Sequence, residues 1–325
     1  RSRGLGDVYK RQCKSVNALG EAILLFFPVI EYLRLRLFER VRGMELIEKA
    51  PAKINLGLDV LYKRPDGYHE LEMVMSSVDL ADHLFFEEIP EDKIIVETNK
   101  AFLPVDQRNN VYQAALLLKN KYHVNKGVKI FVKKNIPVAA GLGGGSTDCA
   151  AALRGINKLW DLGCSLEELA SIGLEVGTDV PYCVYGSTSF VSGKGEKINV
   201  LSPMPPCWVV LVKPRMSVST RTVFKEVDAQ QLNHQDIEGL VEAIQQQDYQ
   251  KMIAKMGNSL EDVTGRRHPI IHQIKERMLK YGADAALMSG SGPTVFALCQ
   301  HYSRAQRVYN GLKGFCDEVY LVRTL

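Results

Sequence analysis

Pro137-Val138-Ala139-Ala140-Gly141-Leu142-Gly143-Gly144-Gly145-Ser146-Thr147 is the stretch on which the reading of this chain turns. Four of the five residues from Gly141 to Gly145 are glycine, so the backbone can approach a ligand closely and turn successive N–H groups inward. Ser146 and Thr147 then open an alanine-rich segment that predicts a helix to about Trp160. The unpaired N–H groups and the positive dipole end at such a terminus favour an anion, for instance a triphosphate. The strand-like residues 128–132 precede the loop, which gives it the strand–loop–helix frame of an anion site rather than that of a plain linker. No lysine follows the glycines, so this is not a Walker A loop, and Ser146 stands where GxGxxG requires its last glycine. The charge that would neutralise a bound phosphate must therefore come from elsewhere in the chain.

Working outward, alternation of Ile54, Leu56, Leu58 and Val60 predicts a strand over residues 46–61. Arg64-Pro-Asp-Gly67 reads as a turn. Strands are expected at 71–78, 84–88 and 94–97. Val111, Ala114, Ala115 and Leu118 share one face of a helix at 110–121. Ser165-Leu-Glu-Glu168 is a capping box for a further helix that Gly177 closes. Pro203, Pro205 and Pro206 form the one proline cluster and mark the expected domain boundary. Beyond it come an apolar strand at 208–212, helices at 237–246 and 270–281, strands at 285–288 and 294–298, a helix at 303–312 and a strand at 318–322. Adjacent strands followed by helices predict an α+β arrangement in two halves, residues 44–202 and 203–325.

Composition agrees with a globular chain. The 325 residues suggest two domains, with 46% apolar and 24% charged residues. A net charge of +4 is too small to argue for nucleic acid or a membrane surface. The seven cysteines are odd in number and contain no CxxC pair, which speaks against a disulfide framework or a zinc knuckle. A reducing cytoplasm is the simplest setting.

Residues 1–43 read differently. The apolar run Ala22–Ile30 is far shorter than the ~20 residues that cross a bilayer. Arg34, Arg36, Arg40 and Arg42 among leucines could form a basic amphipathic helix on a membrane surface. The alternative is a segment foreign to the native protein, and Asp7-Val8-Tyr9-Lys10-Arg11-Gln12 favours it by resembling a translated adapter of the kind used in DNA library construction. Met44 is then the expected start. Deleting residues 1–43 is expected to leave activity intact; a large loss of turnover in the truncated protein would reverse this reading.

Four further places could carry chemistry. Lys53 lies in an apolar strand, although a lone lysine reads first as a solvated one. Asp179, in Gly177-Thr-Asp-Val-Pro181, could be a turn former. Phosphoryl transfer needs a base near the attacking hydroxyl and a cation that stabilises charge, and these two residues could supply them if they meet near the loop. Ser289-Gly290-Ser291-Gly292, between two strands, is either a plain hairpin turn or a set of N–H groups and hydroxyls closing over phosphate. Tyr68 and His69 could be ordinary packing, or could stack on a flat base and hydrogen-bond its edge.

Together these motifs resemble the GHMP kinase superfamily, which includes galactokinase and the homoserine, mevalonate and phosphomevalonate kinases. Pro51-Ala-Lys-Ile-Asn-Leu56 is similar to its first motif, the glycine loop to its second, and Ser289–Thr294 to its third. Pro51–Leu58 with Arg64-Pro-Asp-Gly-Tyr-His-Glu-Leu71, Gly193-Lys-Gly-Glu196 and Asn258-Ser-Leu-Glu-Asp-Val263 resembles the branch that acts on a cytidine-diphospho-methylerythritol. The resemblance runs from Met44 to Leu325. It implies two α+β domains with the ligands between them, ATP and Mg²⁺ as cofactors, and phosphorylation of the acceptor's 2-hydroxyl. It implies Asp179 as base with Lys53 as partner, Asn55 near the acceptor, and cytosine held by Tyr68, His69 and Phe224. Lys134 and Asn110 match positions that contact the nucleotide of ATP. No motif assigns the Mg²⁺ ligands, and the assembly is expected to be a monomer or homodimer. Ala139 and Ala140 replace glycines of some relatives.

Other readings have specific difficulties. A homoserine or phosphomevalonate kinase has no base for Tyr68 and His69 to hold. A nucleotide-binding regulator has no need of Lys53 and Asp179. A dinucleotide oxidoreductase fails on the broken fingerprint.

Overall fold

The computed structural model describes residues 46–325, which belong to one compact unit. The extension expected over residues 1–43 lies outside the described residues. The first sheet is built around β1 (Leu46–Lys63) and β2 (His69–Ile89), paired antiparallel from Leu46↔Phe86 to Lys63↔His69. β2 is continuous where two strands were expected, because Asp79-Leu-Ala-Asp-His83 interrupts the apolar alternation without interrupting the ladder. Pro51 has no N–H to give that ladder, and a register shift between Pro51 and Ala52 absorbs it.

β3 (Ile94–Thr98) runs parallel to β4 (Gly127–Lys133), which pairs antiparallel with the second half of β2. β5 (Ser189–Gly193) pairs with the first half of β2, and β6 (Lys197–Val200) with β5; neither was expected from the sequence. The second sheet has the order β11-β7-β10-β9, with β7 (Trp208–Lys213), β9 (Ala285–Met288), β10 (Val295–Cys299) and β11 (Glu318–Arg323) all antiparallel. A two-residue strand, β8 (Gly257–Asn258), returns to the first sheet and lies parallel to β1 at Gly57 and Leu58.

The helices are α1 (Asn110–Lys121), α2 (Gly144–Leu159), α3 (Leu166–Leu174), α4 (Val180–Tyr185), α5 (Thr220–Glu226), α6 (Ile237–Gln245), α7 (Tyr249–Lys255), α8 (Glu261–Arg267), α9 (Ile270–Lys280) and α10 (Tyr302–Lys313). Asn109 caps α1 through Val111 N, and Ser165 caps α3 through Glu168 N, as the capping box predicts. α2 is buried along most of its length, and Gly155 brings it against Phe86 of β2: a Cβ there would stand 2.4 Å from the ring.

β7 and β10 are apolar on both faces because both are covered. Val210, Val212, Val295 and Ala297 belong to the core that includes Ile274, Met278, Val308 and Leu312 of α9 and α10. Val209, Leu211, Phe296 and Leu298 belong to a second core with Leu240 and Ile244 of α6 and with Ala52, Ile54 and Leu56 of β1. The period of two along β1 then decides the site. With Ala52, Ile54 and Leu56 committed to that core, Lys53 and Asn55 must point to the other face.

Candidate active site

That other face is the floor of a cleft of about 1070 Å³, lined by β1, the glycine loop, the turn after β9 and α5. Ligand sites run to about 300–1,000 Å³, so this cleft stands at the upper end of that range. Pro137, Val138, Ala139, Ala140, Gly141 and Gly143 to Ser146 all line it.

The loop is held in shape from two directions. Lys53 N donates to Leu142 O at 3.0 Å, and Thr147 Oγ1 donates to Pro51 O at 2.8 Å, tying it to β1. Thr294 N donates to Ala140 O at 3.2 Å, and Ser289 Oγ to Gly141 O at 3.0 Å, tying it to the turn after β9. Leu142 itself turns into the second core, and the Thr147 side chain is buried, so both support the loop rather than face a ligand. Gly143 is required twice: its φ is +69°, and a Cβ would stand 2.9 Å from Lys53 Cγ. Ala139 also takes a left-handed φ of 53°, at a cost of roughly 1–2 kcal/mol for a residue with a Cβ, which accounts for glycine at this position in some relatives. α2 begins after Gly143 without a side-chain cap, leaving its first N–H groups to the cleft.

Lys53 is buried. Its Nζ donates to Asn55 Oδ1 at 2.7 Å and stands 3.7 Å from Asp179 Oδ2. Asp179 occupies the N-cap position of α4, yet its carboxylate makes no capping bond and lines the cleft, 35% exposed. α4, which starts at the Asp-Val-Pro step, was not expected from the sequence. Gly195, between β5 and β6, packs against Thr178 and supports this corner; a Cβ there would stand 2.7 Å from Thr178 O.

The tight turn between β1 and β2 presents Tyr68. Gly67 N donates to Arg64 O, Tyr68 N to Asp66 Oδ1, and Arg64 pairs with Glu70. Tyr68 is 52% exposed at the cleft, with Lys194 Nζ 4.9 Å from its ring centre. His69 is buried and faces Phe224 of α5, their ring centres 5.4 Å apart. Burial, with Lys63 nearby, holds His69 below the usual histidine range and favours a neutral imidazole. Lys63, Lys194, Arg221 and Lys225 also line the cleft. The sequence reading missed this basic group, whose one signal was Lys194 inside the Gly193-Lys-Gly-Glu196 motif.

Asn110 lines the cleft beside the loop, its Nδ2 3.2 Å from where a Gly145 Cβ would be. Lys134, expected with Asn110 at the nucleotide, also lines the cleft, and its ammonium is paired within the protein. Its Nζ is buried between Asp82 and Asp148, the latter at 2.5 Å, and its backbone N and O are both taken by Asn99. Asp82 Oδ1 also accepts from Asn135 N at 2.5 Å and Ile136 N at 2.8 Å. Burial pushes the Asp148 carboxyl up, against the pull of Lys134. Asp82 and Asp148 escaped the sequence reading because nothing in a strand or helix pattern announces a buried ion cluster. In the turn after β9, Gly290 and Ser291 line the cleft, whereas Ser289 is fully buried and Gly292 folds back to donate to Ser289 O.

Among the described residues the cysteines are free thiols, and no helix is long and apolar enough to cross a membrane. Nor do the described residues contain a group of three or more His, Cys, Asp or Glu side chains that could hold a metal ion.

Comparison with known proteins agrees with this geometry. Residues 109–187 match the GHMP kinases N terminal domain, and residues 240–318 the GHMP kinases C terminal domain. The chain is 66% identical over 282 residues to a 4-diphosphocytidyl-2-C-methyl-D-erythritol kinase of Enterococcus faecalis, covering 87% of this chain and 100% of that one. It is 56% identical over 280 residues to the kinase of the same name from Listeria innocua, covering 86% and 96%. Among solved structures it is similar to a 4-(cytidine 5'-diphospho)-2C-methyl-D-erythritol kinase, at 30% identity and a TM-score of 0.74, covering 86% of this chain and 99% of that one. A homoserine kinase from Cytophaga hutchinsonii shares the fold at 22% identity and a TM-score of 0.70, covering 86% and 95%.

Proposed function

The chain belongs to the GHMP kinases, and from that premise we propose that it transfers the γ-phosphoryl group of ATP to the 2-hydroxyl of 4-(cytidine 5'-diphospho)-2-C-methyl-D-erythritol, giving the 2-phosphate and ADP. This is a step of non-mevalonate isoprenoid precursor synthesis. The observation that carries the reading is the meeting of Lys53, Asn55 and Asp179 at one point of the cleft, between the glycine loop and the aromatic pocket of Tyr68, His69 and Phe224.

In this reading the triphosphate lies on the free N–H groups at the start of α2, with Asn110 beside the nucleotide. Tyr68, His69 and Phe224 hold cytosine, and the basic group of Lys63, Lys194, Arg221 and Lys225 faces the acceptor's diphosphate. Asp179 takes the proton of the 2-hydroxyl as its oxygen attacks. Lys53, anchored by Asn55, offsets the charge that develops there. Ser146 and Asp148, whose Oδ1 has no partner among the described residues, would hold Mg²⁺ beside the loop, and the ion would supply charge neutralisation. A cytoplasmic setting belongs to the same proposal. So does a domain boundary at 202/203, supported by the start of the second sheet at Trp208, just beyond the proline cluster.

Purified protein given ATP, Mg²⁺ and the cytidine-diphospho substrate is expected to release ADP. Turnover on homoserine or phosphomevalonate instead would sink the assignment. Exchange of Tyr68 for alanine is expected to raise KM for the cytidine substrate about tenfold or more, the weight of one base-stacking contact, with KM for ATP unchanged. An equal rise in both KM values would remove Tyr68 from the cytosine pocket.

A further inference from the structure

Asn258, in β8, has no role in the chemistry described so far, yet it is buried against the turn that closes the cleft. Its Nδ2 donates to two carbonyls of that turn at once, Met288 O and Gly290 O, both at 2.8 Å. Its Oδ1 accepts from Leu260 N at 2.9 Å, which fixes the orientation of the amide. The residue cannot drift, because β8 is registered on β1 at Leu58 and Ser259 N donates to Leu58 O at 2.9 Å.

A trans peptide holds its C=O and the following N–H in opposite directions. With Gly290 O drawn back to Asn258, the N–H of Ser291 points the other way, toward the cleft. Ser289 O is held separately, by Gly292 N at 3.0 Å. Among the described residues the Ser291 N–H has no protein partner, and Gly290 and Ser291 both line the cleft. Gly290, at φ +57°, sits directly over Lys53 and Asn55: a Cβ there would lie 3.4 Å from Lys53 Nζ and 3.3 Å from Asn55 Oδ1. The free Ser291 N–H, on the next residue, is therefore placed beside the point where the phosphoryl group is transferred.

Resting on the phosphoryl-transfer reading above, we propose that Asn258 is a positioning residue for the reaction: by pinning Gly290 O, it turns the N–H of Ser291 onto the transferring phosphoryl group, while its bond to Met288 O fixes the root of the turn. Donors preorganised for developing charge act on the transition state, so their loss lowers kcat rather than ground-state binding.

The test uses Asn258→Asp, which sets a carboxylate against the two carbonyl oxygens, and Asn258→Ala, which removes the pins without adding charge. In both, kcat is expected to fall on the order of 10²-fold, the weight of a preorganised donor. ADP affinity and KM for the cytidine substrate are expected to stay within about threefold of the parent. Should the aspartate variant not fold, the alanine variant carries the same expectation. A folded variant at the parent kcat overturns the proposal. So does a kcat loss matched by equal losses of ADP and cytidine-substrate binding, which marks a role in general scaffolding. A parent protein that does not turn over the cytidine substrate overturns the phosphoryl-transfer reading itself.

Discussion

Asparagine at position 179 is expected to lower kcat by as much as about 10⁴-fold, the upper end of what a general base contributes, with ATP affinity unchanged. The substitution keeps shape and volume. It removes the cleft carboxylate that faces Lys53 Nζ, 3.7 Å away, and with it the ability to accept a proton there. Because the Asp179 carboxylate makes no capping bond to α4, the exchange costs the helix nothing, and the loss falls on chemistry. Steady-state kcat together with calorimetric ATP affinity decides the matter. A variant at full rate would take Asp179 out of the base role; one that has lost ATP affinity in proportion would make it a binding residue.

Alanine at position 82 is expected to cost about 3–5 kcal/mol of stability, the usual loss when one member of a buried ion cluster is removed. Asp82 is fully buried and joins three parts of the molecule. It pairs with Lys134, accepts from Asn135 N and Ile136 N at the start of the glycine-loop segment, and through Lys134 reaches Asp148 on α2. Burial alone would lower the Lys134 pKa, but the charges of Asp148 and Asp82 outweigh it and hold the ammonium charged. Without Asp82 the lysine keeps one carboxylate, and the N–H groups of Asn135 and the buried Ile136 lose their acceptor. Thermal unfolding of Asp82→Ala is expected some 10 °C below the parent, at roughly 2–4 °C per kcal/mol for a chain of a few hundred residues. A midpoint within about 2 °C of the parent would show that the cluster does not hold the loop segment.

The parts of the fold that were legible in the sequence are those with a local physical signature. Val111, Ala114, Ala115 and Leu118 share a helical face, and α1 spans the expected residues 110–121. Ser165 caps α3 through Glu168 N because a capping box is complete within four residues. The glycine loop was legible as a loop that opens a helix with uncapped N–H groups, since backbone freedom and a helix terminus are properties of consecutive residues. β5, β6, α4, α7 and α8 were not legible. They are short, and what stabilises them is the surface they pack on: β5 exists because β2 offers it an edge from Leu71 to Met75.

The same division runs through the site. The sequence by itself determined that a glycine-rich loop opens a helix, that Lys53 and Asn55 share one face of a strand, and that Tyr68 and His69 follow a tight turn. Only the tertiary structure decided which face of β1 looks into the cleft, because that depends on Ile54 and Leu56 being claimed by a core whose other half is the second sheet. It also decided that Lys134 is held by Asp82 and Asp148, and that Asn258 and the turn at Gly290 meet across 32 residues of chain. Hydrogen bonds and ion pairs between residues distant in sequence leave no period and no local composition to read. They become visible only when the chain has closed on itself and each buried polar group must find its partner.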